Sequence, residues 1–147
     1  MKSRKFIYPI SADTWQKEEL KVAVETLRSG NLTNGSKVLK FESNFAKYLK
    51  RKYCVMVNSG SSANLLMVAS LFFLKNNKKI NSGDEVIVPA VSWSTSYYPF
   101  SQYGLTLKFV DINIETLNYD LSALQKAINK NTKIILGVNI CGNPNDY

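Results

Sequence analysis

The sequence contains no histidine among its 147 residues. No histidine-dependent triad, His-ligated zinc or imidazole base can be built from this chain. Cysteine is nearly absent: Cys54 and Cys141 are too few for a disulfide framework and fit a reducing compartment. Arginine is scarce. Only 3 of the 19 positive residues are Arg, the side chain that does most specific base reading. Long apolar runs are missing as well. The longest, Leu65 to Leu74, is ten residues interrupted by Ser70 and cannot span a bilayer. Met1-Lys2-Ser3-Arg4-Lys5 is basic, but Phe6–Ile10 is too short for a signal-peptide core. These absences predict a cytoplasmic protein with no membrane segment, no metal site and no nucleic-acid partner.

What is present suits an ordinary soluble fold. Hydrophobic residues make up 45% of the chain and charged residues 20%, which argues against disorder. A chain of this length buries a substantial core. The net charge of +8 is unevenly spread. Residues 1–52 carry 12 basic against 5 acidic side chains, whereas residues 53–147 carry 7 against 6. The basic third is either a solvated, lysine-rich helical surface or a face for phosphorylated partners.

The pattern along the chain divides it into an N-terminal helical segment, 1–52, and an α/β segment, 53–147. Asp13 with Gln16 three residues on predicts a helix start, and Gly30 predicts its end. Asn34-Gly35 is a strong turn signal. Val38, Phe41, Phe45, Tyr48 and Leu49 then fall on one helical face. From Tyr53 the pattern changes. Tyr53–Val57, Asp84–Pro89, Leu107–Asp111 and Thr132–Val138 read as four strands. Helices are expected at about 64–75 and 94–103, the latter weakened by Pro99, and around Leu121, Leu124 and Ile128. Asn76 to Gly83 reads as a polar connection. Strands alternating with helices predict parallel βαβ units.

Three segments carry possible chemistry. A strand expected at 53–57 runs into Asn58-Ser59-Gly60-Ser61-Ser62 and then a helix. Small residues let a ligand approach, and the first helical amides have no intrahelical partner, so this is an anion site suited to phosphate. The same residues also suit plain N-capping by serine. They match neither the dinucleotide nor the P-loop pattern. Trp93 lies four residues past Pro89, just beyond a strand's carboxyl end, where ligands of parallel sheets bind. It could lie against a planar ring or pack as a core tryptophan. In the third segment, Cys141 has no base beside it in sequence and reads as an incidental thiol. Asp84, Glu85 and Asp111 read as strand-flanking carboxylates rather than an acid–base pair.

Together, Asn58-Ser59-Gly60-Ser61-Ser62-Ala63-Asn64, Gly83-Asp84-Glu85-Val86-Ile87-Val88-Pro89, Phe109-Val110-Asp111-Ile112 and Gly142-Asn143-Pro144-Asn145-Asp146 resemble the DegT/DnrJ/EryC1/StrS sugar aminotransferases. That family comprises pyridoxal 5'-phosphate enzymes of fold type I. The resemblance implies an α/β fold: part of an aspartate-aminotransferase-like large domain, a mainly parallel sheet flanked by helices. It implies that Ser61 and Ser62 hold the cofactor phosphate, that Gly60 permits the approach, and that Trp93 stacks on the pyridine ring. It also implies a nucleotide-linked keto-sugar substrate, glutamate as amino donor, and a homodimer in the parent enzyme.

The family's cofactor-linking lysine and its pyridine-pairing aspartate lie downstream of the segment matched by 138–147, and none of the 16 lysines here takes that lysine's place. No catalytic residue is therefore assigned, and this chain is expected to be inactive alone. Gly142-Asn143-Pro144 is similar to a branch that includes sugar 3-dehydratases, in which histidine replaces that lysine. The resemblance thus leaves two parent reactions, transamination and pyridoxamine-phosphate-dependent deoxygenation. A non-catalytic anion-binding module or dimer-forming subunit is the reading outside enzymology. In the family's sheet the first strand lies apart from the next three. Residues 53–57 are therefore expected to lack their neighbours, in a marginal or rearranged sheet.

Overall fold

A computed structural model describes residues 12–75 and 79–146. The basic stretch at 1–10 and part of the polar connection at 76–83 lie outside the described residues. The chain forms two compact units, Met1–Met56 and Val57–Tyr147.

Among its described residues the first unit contains two helices, α1 (Lys17–Arg28) and α2 (Ser36–Tyr48). The cap of α1 is Gln16 rather than Asp13: the Glu19 carboxylate accepts from the Gln16 amide at 2.9 Å. Asp13 instead accepts from the Trp15 amide at 3.0 Å and shapes the turn before the helix. Gly30 follows the last turn with φ +68, the left-handed conformation that ends helices at glycine. Helix α2 carries the expected stripe, with Phe41 stacked on Phe45 at 5.4 Å between ring centroids. Ala46 is nevertheless its one buried residue.

The strand expected at 53–57 does not form. Tyr53, Val55 and Met56 are exposed and in no regular element. Their β-branched and aromatic character suits a strand, but a strand exists only beside a neighbour that takes its hydrogen bonds.

The second unit holds α3 (Gly60–Leu71), β1 (Glu85–Pro89), α4 (Tyr98–Gln102), β2 (Thr106–Val110), α5 (Leu121–Ala127) and β3 (Thr132–Ile135). The strands form a parallel sheet in the order β2-β1-β3. Central β1 is buried on both faces, which explains its uninterrupted Val-Ile-Val run. Val86 and Val88 pack with Val68 of α3 and Phe100 of α4. Ile87 points the other way, into a cluster with Val110, Tyr119 and the Ala123, Leu124 and Ala127 face of α5. The path from β1 to β2 and back across to β3 reverses direction, so α4 and α5 lie on opposite faces, as right-handed crossovers require. Burying each of the large side chains on β1 contributes roughly 1.5–3 kcal/mol. At the amino ends, Glu85 accepts from Thr132 at 2.6 Å and Asn129 at 2.9 Å, with Lys108 at 3.9 Å. Glu85 is thus a clasp between strands rather than half of a catalytic pair.

Candidate functional site

Helix α3 begins at Gly60, four residues before the predicted start, because Ser59 caps it. Its side chain accepts from the Ser62 amide at 3.2 Å. That bond takes one of the amides expected to meet an anion. The amides of Gly60 and Ser61, at the first two helical positions, have no hydrogen-bond partner among the described residues. A Cβ built on Gly60 would meet nothing within 4 Å, so the ground in front of the helix is open.

Ser61 and Ser62 line a hollow of about 170 Å³, closed by Leu65 on α3, Thr95, and Tyr98, Pro99 and Gln102 on α4. The Asn64 side-chain amide donates to the Thr95 carbonyl at 3.4 Å and ties α3 to the segment leaving β1. No Lys, Arg, Asp or Glu lines the hollow. An anion in front of the helix start, which Gly60 leaves open, would meet the free amides of Gly60 and Ser61 and the positive end of a 12-residue helix. The residues present therefore fit the phosphate end of the cofactor.

Trp93 lies just past β1, directly before a single 3-10 turn at Ser94–Ser96. It is 75% exposed, which rules out the core-tryptophan alternative. It does not line the hollow, although Thr95, two residues on, does. The structure thus brings Ser61 and Ser62 together with the Trp93 segment, while the indole itself stands outside.

Two tyrosines that the sequence did not single out fix the carboxyl ends of the strands. The Tyr97 hydroxyl donates to the Pro89 carbonyl at 2.6 Å, and its ring meets Phe109 edge-on at 5.4 Å. The Tyr119 hydroxyl, from the opposite face, donates to the Leu136 carbonyl at 2.8 Å and lies 3.3 Å from that of Ile87. Burial pushes both phenols above their ordinary range, and for Tyr97 a hydrogen bond with Ser92 offsets part of the rise. No local pattern could reveal them, since Tyr119 reaches carbonyls 17 and 32 residues away.

The third segment is held by asparagines. Asn118 donates to the Pro144 carbonyl, Asn143 to Thr116 and Asn145 to Val138, at 2.7, 2.7 and 3.0 Å. A cavity of about 530 Å³ lies along this seam and is lined by none of the predicted site residues. Cys141 is exposed. Among the described residues no group of three or more His, Cys, Asp or Glu could hold a metal, and no helix is long and apolar enough to cross a membrane.

With this geometry in hand, the chain matches the DegT/DnrJ/EryC1/StrS aminotransferase family over residues 13–147. A GDP-4-keto-6-deoxy-D-mannose 3-dehydratase from Yersinia pseudotuberculosis is 53% identical over 140 residues, covering 95% of this chain and 35% of the relative. The solved structure of the E coli GDP-4-keto-6-deoxy-D-mannose-3-dehydratase, with bound hydrated PLP, superposes with a TM-score of 0.87 at 54% identity, covering 94% of this chain and 35% of that one. A Helicobacter pylori aminotransferase involved in the biosynthesis of pseudoaminic acid has a TM-score of 0.80 at 29% identity, covering 95% of this chain and 36% of that one. The chain thus spans about a third of the length of these relatives.

Proposed function

Because this chain belongs to the DegT/DnrJ/EryC1/StrS aminotransferase family, we propose that its second unit is the phosphate-anchoring part of a pyridoxal-phosphate site in a nucleotide-sugar enzyme. The observation that carries the reading is the start of α3, where the amides of Gly60 and Ser61 have no partner among the described residues and Ser61 and Ser62 border a hollow free of charged side chains. Ser61 and Ser62 hold the phosphate by hydrogen bonds. Gly60 keeps the approach free of a Cβ. Trp93, exposed at the carboxyl end of β1, is the side chain that would lie along the ring. When bound, the cofactor supplies an electron sink for bond breaking next to a keto carbon.

Between the two parent reactions, dehydration at the sugar's C3 is the better supported. The dehydratase relatives share 53 and 54% of their residues with this chain, against 29% for the aminotransferase. A GDP-linked keto-sugar as substrate, glutamate as the donor that loads the cofactor, and a dimer of the longer enzyme complete the proposal. In this reading the 147 residues anchor and orient, and no catalytic residue is assigned among them.

Binding is tested with pyridoxamine 5'-phosphate against pyridoxamine. Both lack the aldehyde that would label the chain's many lysines. Quenching of Trp93 fluorescence is followed in a Trp15→Phe background. The phosphorylated form is expected to bind at least tenfold more tightly, a difference of about 1.4 kcal/mol, and Ser61→Ala with Ser62→Ala removes most of that preference. Equal binding of the two amines, unchanged by those substitutions, overturns the assignment.

A further inference from the structure

A ring held at both ends needs its two anchors, the Ser61–Ser62 hollow and the Trp93 indole, at a fixed separation. The indole cannot fix this by its own packing. It is 75% exposed, so its direction is set by the backbone of the loop that runs from Pro89 to Tyr97.

That loop is tied locally in two places. The Ala90 amide donates to the Val110 carbonyl at 2.8 Å where the chain leaves β1. The Ser96 amide donates to the Trp93 carbonyl at 2.9 Å and the Tyr97 amide to that of Ser94 at 3.0 Å, which closes the 3-10 turn. These bonds shape the two halves of the loop without joining them. Tyr97 joins them. Its hydroxyl donates to the Pro89 carbonyl at 2.6 Å, eight residues back. Pairing with β3 stops where the Leu136 amide meets the Ile87 carbonyl. Two residues on, the Pro89 carbonyl takes its proton from a side chain rather than from a strand.

The phenol is itself well seated. Phe109 meets its ring edge-on at 5.4 Å. Ser92, the residue before Trp93, hydrogen-bonds the same hydroxyl. In sequence Tyr97 also stands between Thr95 and Tyr98, which both line the hollow. One rigid side chain thus ties the start of the loop, the residue beside the indole and the wall of the hollow.

We infer that Tyr97 is a positioning residue: by closing the 89–97 loop onto Pro89 it holds the Trp93 indole in one orientation relative to the Ser61–Ser62 hollow. The inference rests on the reading of that hollow as the cofactor's phosphate site, and it adds the residue that aims the ring-facing side chain. Tyr97 acts through Trp93 and needs no contact with the cofactor.

The test follows the fluorescence depolarisation of Trp93 in the full chain carrying Trp15→Phe, which leaves one indole. Tyr97→Phe keeps the ring and removes only the hydroxyl. The nanosecond share of the depolarisation is expected to rise at least about twofold. Tyr119→Phe removes a comparable hydroxyl from the opposite face and leaves Trp93 as in the parent. Phe109→Leu, at an exposed position on β2, withdraws the ring behind Tyr97 and gives a smaller rise. Pyridoxamine 5'-phosphate and pyridoxamine are each expected to bind Tyr97→Phe about threefold more weakly, so the preference for phosphate is kept while the ring contact loosens. Unchanged Trp93 motion in a Tyr97→Phe chain that keeps its circular dichroism overturns the inference. If that variant does not fold, unchanged motion in Phe109→Leu does so. An equal rise in Tyr119→Phe also overturns it, as does a loosened Trp93 with both affinities intact. The depolarisation needs no ligand, so equal binding of the two amines by the parent sinks the phosphate site alone.

Discussion

The phenol of Tyr119 spends its one proton on the Leu136 carbonyl, just past the end of β3, while its oxygen sits beside Ile87 on β1. Ile87 also accepts from the Leu136 amide at 2.9 Å, so the substitution Tyr119→Phe leaves only the Leu136 carbonyl without its donor. The expected loss is about 1 kcal/mol, read as a lower urea midpoint with an unchanged slope. The same residue sets a pH dependence. Its phenol is raised above the ordinary value of 10.0, first by burial and then by Tyr97 nearby. The folded chain keeps a proton that the unfolded chain gives up from about pH 10 upward. The stabilisation is therefore whole below pH 10 and is lost as pH rises beyond it. Denaturant midpoints between pH 8 and 11 should fall more steeply in the parent than in Tyr119→Phe, and parallel curves would refute this role.

At the scale of one element, α3 separates capping from anchoring. Ser59 satisfies the Ser62 amide and makes the helix start where it does. Ser61 reaches the hollow without closing a cap. Ser59→Ala is expected to cost about 1 kcal/mol of stability while leaving pyridoxamine-phosphate affinity intact or raised, since a third amide is released. Ser61→Ala is expected to do the reverse, and a joint loss in both variants would mean one structural role. Elements were legible wherever the signal was local. The Val-Ile-Val run between Gly83 and Pro89 marks β1, the spacing from Val38 to Leu49 marks α2, and Leu121, Leu124 and Ile128 mark α5, whose cap, Asp120, accepting from the Ala123 amide at 3.0 Å, the structure adds. The start of α3 was placed late because the small residues 60–63 suit a loop as well as a first turn, and the cap decides between them. The strand pattern at 53–57 is local and favours extension, but a strand needs a partner, and these residues form none, in keeping with the expectation that they lack their neighbours. The proposed phosphate residues, Ser61 and Ser62, are readable as serines before an apolar helix. Thr95, Tyr98 and Gln102 were not, because they reach the hollow by folding rather than by spacing.

For the whole molecule, the balance between charge and uncovered apolar surface governs behaviour in solution. A parallel sheet needs cover on both faces, and here three strands are covered unevenly, with Phe109 and Ile135 exposed on the sheet and Leu66 and Met67 on the helix above it. In the first unit, Phe41, Phe45 and Tyr48 leave a second apolar stripe open. Against this stands a net charge of +8, with 12 of the 19 positive residues in positions 1–52. Repulsion acts over roughly 10 Å at 0.1 M salt and over about 3 Å at 1 M, whereas apolar attraction does not weaken with salt and strengthens in sulfate. The chain is therefore expected to sediment as a monomer at low ionic strength and to form larger species as sodium sulfate is raised, with an apolar dye binding the monomer strongly. Its urea transition should be broad, with a slope below the usual range for its length, because less surface is hidden than in a complete domain. A sharp, high-melting transition of a monomer that binds no dye and ignores sulfate would show that these faces are already satisfied within the 147 residues.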